Sequence, residues 1–172
     1  MSDFDRALPI ILEAEGGYVD DPDDPGGATN KGITQKTYDS WRESIGKPSA
    51  AVKYITNDEV RDIYRREYWQ GSQADALTWP ANLVHFDGAV NHGAYNAARI
   101  LQRALDVRDD GNIGPVTMAA IRERDPLELA GEMCWGRIAF YLEITKRADD
   151  PKRKFFRGWV LRIMHLREKV VT

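Results

Sequence analysis

A glutamate ends an apolar helical stripe, and a cluster of carboxylates follows at once: residues 13–34 read EAEGGYVDDPDDPGGATNKGIT. Phe4, Leu8, Ile11 and Glu15 fall at i, i+4, i+7 and i+11, which puts Glu15 on the inward side of a first helix, at its end. A carboxyl in that position loses solvation, which disfavours its ionised form and makes it a candidate proton donor. Asp20, Asp21, Asp23 and Asp24 come next, on a loop stiffened by Pro22 and Pro25. Glycosidic cleavage needs such a donor on one side of the bond and a carboxylate or held water on the other. Asp24 lies nine residues after Glu15 and Thr29 fourteen after it, so a loop folded back under the helix end would set a carboxylate and a hydroxyl opposite the acid. Asp20 competes with Asp24 for that place, and each aspartate also serves as an ordinary turn former.

Other chemistries fit the same residues less well. In calcium-loop register from Asp21, the fifth position is Pro25 and the twelfth is Gly32, so two ligand positions fail. Gly26, Gly27 and Gly32 could cradle phosphate, but no GxxxxGK[ST] occurs and no strand pattern precedes them; they suit tight turns or the close approach of a polymer. His85 and His92 are seven apart, without the i, i+4 spacing and third ligand usual in zinc enzymes. The single cysteine, Cys134, lies in an apolar helical pattern, and no GxSxG elbow supports a serine nucleophile. The expectation is therefore no metal and no cofactor.

Tyr68 and Trp69 end a helical run, and Asp87 and Asn91 are one turn apart on the next. Together they would suit a sugar-binding wall of aromatic faces with carboxyl and amide hydrogen bonds, although aromatics at such spacing also build cores.

The elements that must position these residues are helical throughout. Ser2 is available as first N-cap, Thr34 opens a helix carrying Tyr38 and Trp41, and Thr56 with Glu59 forms a capping box before Val60, Ile63 and Tyr64. Helices are expected from Ala81 to His92 and Ala94 to Val107, broken at Gly93, then from Pro115 to about Arg124. Pro126 starts a long helix to Arg147 with Leu127, Ala130, Met133, Cys134 and Ile138 inward, and Pro151 starts the last, with Phe155, Trp159, Ile163 and Leu166 inward. Gly16 and Gly17 stand where a helix C-cap favours a residue free to take positive φ. The class expected is all-α, with a long loop or small irregular β-hairpin after the first helix.

With 172 residues, 42% of them hydrophobic and 30% charged, the chain suits one compact unit, and one cysteine excludes an internal disulfide. Net charge is −3, but residues 1–30 hold eight acids against Arg6, while residues 151–170 hold seven Lys and Arg against Glu168. The basic end could touch anionic polymers or membrane weakly, or pack its aromatics and leave its charges to water. The N-terminus makes a poor secretory signal and no stretch is long enough to span a bilayer, so the product is expected in the cytoplasm when made.

The stretch Glu15-Gly16-Gly17-Tyr18 followed by DPDDPGGATNKGI, with YRREYW at 64–69 and FDGAVNHG at 86–93, resembles the glycoside hydrolase family 108 muramidases, a lysozyme-like group common among phage endolysins. The second half, with LQRALDVRDDGNIGPVT at 101–117, resembles the helical peptidoglycan-binding region that accompanies that family. The resemblance implies a lysozyme-like catalytic region over 1–92 and a helical peptidoglycan-binding-like region over 93–172 packed with it. It implies Glu15 as catalytic acid, and Tyr18 joins Tyr68, Trp69, Asp87 and Asn91 as candidate substrate contacts. Phage lysozymes of another family show Glu-x8-Asp-x5-Thr, where this chain has Glu-x8-Asp-x4-Thr, which supports Asp24 and Thr29 less closely. Gly88 and His92 depart from the family pattern, where a bulkier and a smaller residue respectively are expected.

The implied function is an N-acetylmuramidase, a monomer acting on bacterial peptidoglycan and not on nucleic acid. It would be an endolysin reaching the periplasmic wall through a holin. A noncatalytic peptidoglycan-binding or secretion-accessory protein on the same scaffold is the alternative, and a zinc amidase using His85 and His92 a third.

Overall fold

The computed structural model describes residues 1–20, 27–147 and 149–171. Helix α1 runs Asp3–Ala14 and begins with a capping box in which the Ser2 hydroxyl accepts from the Asp5 amide while the Asp5 carboxylate accepts from the Ser2 amide. Its inward stripe is Phe4, Ala7, Leu8 and Ile11, and removing each of the three larger side chains from water contributes about 1.5–3 kcal/mol. A two-stranded antiparallel hairpin follows, β1 Thr29–Asn30 and β2 Ile33–Thr34, with Val19 bridged to Thr29 on its other side. The hairpin reading of this loop thus holds for its second part. Asp24 lies outside the described residues.

Helix α2, Gln35–Ser44, starts at the Thr34 N-cap and buries Tyr38 and Trp41. A 3-10 turn at Val52–Tyr54 leads to α3, Asn57–Ile63, whose Thr56–Glu59 capping box forms as the spacing predicts. A π-helical run, Tyr64–Gln70, continues from it. Helices α4, Ala81–His92, and α5, Ala94–Ala104, are parted by Gly93 at φ 85°, and α6, Pro115–Arg122, has its proline in the first turn. Helices α7, Pro126–Ile144, and α8, Arg153–Val171, complete the chain.

Packing divides the chain into two compact units, Met1–Glu67 and Tyr68–Thr172. Within the second unit α4 packs on α5 and α7. Residues 81–89 of α4 are all buried, the polar Asn82, His85 and Asp87 among them.

Two inward assignments are corrected. Leu127 is 49% exposed, because the buried face of α7 runs Leu129, Ala130, Met133, Cys134, Arg137 and Tyr141. Phe155 is 51% exposed, while Ile163, Leu166 and Val170 are the buried residues of α8 and Trp159 stacks on Tyr141 at 4.7 Å between ring centroids. Among the described residues, no helix is long and apolar enough to cross a membrane.

Candidate active site

Glu15 is the C-cap of α1, with φ −91° and ψ 140°, so the chain turns extended at the glutamate itself. Its side chain is half-buried, not fully inward as the stripe suggests. Gly16 and Gly17 do not take positive φ, and a Cβ added to either would meet no described atom within 4 Å. They do not close the helix.

The glycine that is sterically required lies across the hairpin. Lys31 and Gly32, at φ 50° and 74°, are the two loop residues between Asn30 and Ile33, the backbone pattern of a type I′ turn. A Cβ on Gly32 would lie 2.6 Å from Glu15 Oε2 and 2.6 Å from the Tyr64 hydroxyl oxygen. The Glu15 carboxylate thus rests against the bare backbone of the turn, with Tyr64 on the same spot. Tyr64 is fully buried and its hydroxyl donates to the Lys31 carbonyl at 2.8 Å. Asn30, also buried, anchors the hairpin by donating to the Val52 and Lys53 carbonyls at 3.2 Å each.

Thr29 is half-buried on β1, pairs its backbone with Val19, and turns its hydroxyl to the Gly27 carbonyl at 3.3 Å. Tyr18 is exposed, and its phenol donates to Asp20 at 3.0 Å; that bond pushes the phenol above its ordinary pKa. The Lys53 ammonium lies 5.5 Å from the Tyr18 ring centre. Asp20 is exposed and engaged with Tyr18.

In the second unit the proposed sugar wall is largely internal. Trp69 is 2% exposed, meets Phe86 edge-on at 5.2 Å and donates its indole hydrogen to Asp75 at 2.6 Å, so it is a core residue. Tyr68 beside it is half-buried. Asp87 is also 2% exposed; Arg137 reaches it at 2.6 Å and Arg162 at 2.7 Å. Burial alone would push the Asp87 carboxyl up, but the two guanidinium groups outweigh it and hold the group below the ordinary carboxylate range. Asn91 accepts from the Tyr141 hydroxyl. Trp69 and Asp87 are therefore not surfaces for a sugar.

Arg137 and Arg162 did not stand out in the sequence. The signal for Arg137 was available: it falls at i+7 from Ala130 and four before Tyr141, on the buried face, and a cation there requires a buried anion. Both histidines of α4 are internal. His85 faces the Ser72 carbonyl at 2.9 Å and burial lowers its pKa to about 4; burial, then Arg137, lowers that of His92 to about 3. Among the described residues no three His, Cys, Asp or Glu side chains gather as metal ligands would.

A helical fold with one small hairpin after its first helix, and a glutamate at that helix's end, defines the lysozyme-like class. Residues 8–93 match the family described as Glycosyl hydrolase 108, and residues 96–164 match the Predicted Peptidoglycan domain. The solved structure titled "Structure of Brucella abortus SagA" is 33% identical, with a TM-score of 0.82 over 98% of this chain and 94% of that one. No curated protein matches the chain. The chain belongs to the glycosyl hydrolase 108 family and is a glycoside hydrolase that acts on peptidoglycan.

Proposed function

We propose that the protein is an N-acetylmuramidase, cleaving the β-1,4 bond between N-acetylmuramic acid and N-acetylglucosamine, with Glu15 as the general acid that protonates the leaving oxygen. The observation that carries this reading is the seat of Glu15. Its side chain comes up to the backbone of Gly32, where an added Cβ would lie 2.6 Å from Glu15 Oε2 and 2.6 Å from the Tyr64 hydroxyl oxygen. An acid brought by a helix end to the backbone of a hairpin turn is held in place, as donation to a polymer strand requires.

Asp24 is assigned the opposing role, steadying the oxocarbenium-like state or the attacking water, on its spacing from Glu15. Thr29 is assigned to the same side of the bond. Tyr18, exposed beside the acid's loop, is the aromatic best placed to meet a sugar ring. In its biological setting the protein acts as a monomeric phage endolysin, made in the host cytoplasm and admitted to the wall by a holin. The outward cations of α8 add weak attraction to anionic wall or membrane polymers.

The test is muropeptide analysis of purified walls after digestion. New reducing ends on muramic acid support the muramidase reading. Reducing ends on glucosamine would assign the other glycosidic bond, and new free amines or unchanged walls would overturn the reading.

A further inference from the structure

We propose that Tyr64 and Gly32 together form the seat that aims the Glu15 carboxyl, and that Tyr64 is a positioning residue for proton transfer. The proposal rests on the reading of Glu15 as the acid.

Three elements of the first unit converge on one point. Glu15 comes from the end of α1, Gly32 from the hairpin turn, and Tyr64 from the residue just after α3. A single added carbon on Gly32 would lie within 2.6 Å of both oxygens and 3.0 Å from Glu15 Cδ. The positive φ of Gly32 does not by itself account for the residue, since asparagine and aspartate also tolerate this turn conformation. Space decides: any side chain would displace the carboxylate, the phenol or both.

Tyr64 is held more firmly than a neighbour by chance would be. Its ring is fully buried and its one hydroxyl hydrogen is given to the Lys31 carbonyl, within the same turn that carries Gly32. Toward the gap the phenol therefore presents an acceptor oxygen. Such an oxygen pairs with a carboxyl that carries its proton, the form an acid catalyst must present before transfer. The Lys31 carbonyl ties the phenol to the turn that faces the acid. Misplacing a reacting group by about 1 Å costs on the order of a hundredfold in rate.

The experiment compares wild type, Tyr64→Phe, Gly32→Ala and Asn57→Ala on soluble glycan-strand fragments, measuring kcat and KM separately beside Tm. Asn57 supports the same turn by accepting from the Lys31 ammonium, on the side-chain end of that residue. Tyr64→Phe keeps the buried ring and is expected to lower kcat by about tenfold to a hundredfold with KM little changed. Gly32→Ala is expected to lower kcat at least as far. Asn57→Ala is expected to retain kcat. Wild-type kcat in Tyr64→Phe, a loss wholly in KM, or an equal kcat loss in Asn57→Ala would overturn the proposal. Glu15→Gln run in parallel separates the two claims. If it is inactive while Tyr64→Phe is fully active, only the positioning role falls; if it is active, the acid assignment falls as well.

Discussion

Two acids of this chain, Glu15 and Asp87, meet opposite fates. Glu15 stands half-buried at a helix end, against the Gly32 turn. Asp87 is enclosed by two guanidinium groups that occupy both of its oxygens. An uncompensated buried charge is costly, so Asp87→Asn, which leaves Arg137 internal beside a neutral amide, should destabilise by about 3–5 kcal/mol in urea denaturation. The folded fraction of that variant should keep its specific activity, because the carboxylate serves packing. A variant as stable as wild type, or a folded one without activity, would refute that division of labour.

At the scale of elements, the helix ends were the most legible part of the sequence. Ser2, Thr34 and Thr56 cap as their side chains allow, and Gly93 parts α4 from α5. Registers were less legible where a charge lies on an inward face. On α7, Ala130, Met133 and Cys134 are inward as the spacing predicts, but Arg137, paired with Asp87, is buried on the same face and Leu127 in the first turn is exposed. Glu15 was visible as the end of a stripe, but Tyr64 was visible only as an aromatic on a core face. Its role depends on a turn thirty-odd residues away, a long-range closeness that periodicity does not carry. Gly88 and His92, two separate departures in sequence, form one compensating pair in space. A Cβ on Gly88 would lie 3.1 Å from the His92 ring, i to i+4 along α4. Gly88→Ala alone should therefore lower stability despite alanine's better helix propensity of about 1 kcal/mol, and adding His92→Ala should recover part of the loss. A thermal-melt cycle showing simple additivity would contradict the pairing.

At the scale of the molecule, the first unit carries the acid, and the second carries buried titratable groups that tie stability to pH. His85 and His92 have folded pKa values of about 4 and about 3, against an ordinary 6.5. The unfolded chain binds protons at these sites below pH 6.5 while the folded chain does not, so stability is complete above that pH and falls as pH drops toward 4. Each group accounts for about 2 kcal/mol by pH 5. Asp87 adds its own loss only lower, as pH passes down through its depressed value. Denaturation midpoints at pH 7 and pH 5 should differ accordingly, and equal midpoints would contradict the neutral burial of the histidines.

The central claim is that Glu15 donates the proton that breaks the glycan strand, and its most direct test is Glu15→Gln on purified peptidoglycan. The amide keeps the size and place of the side chain and removes the acid. A folded Glu15→Gln protein with wild-type Tm should release reducing ends at least a hundredfold more slowly, the lower bound usual for general acid catalysis, about 10² to 10⁴. Hydrolysis at the wild-type rate would contradict the account.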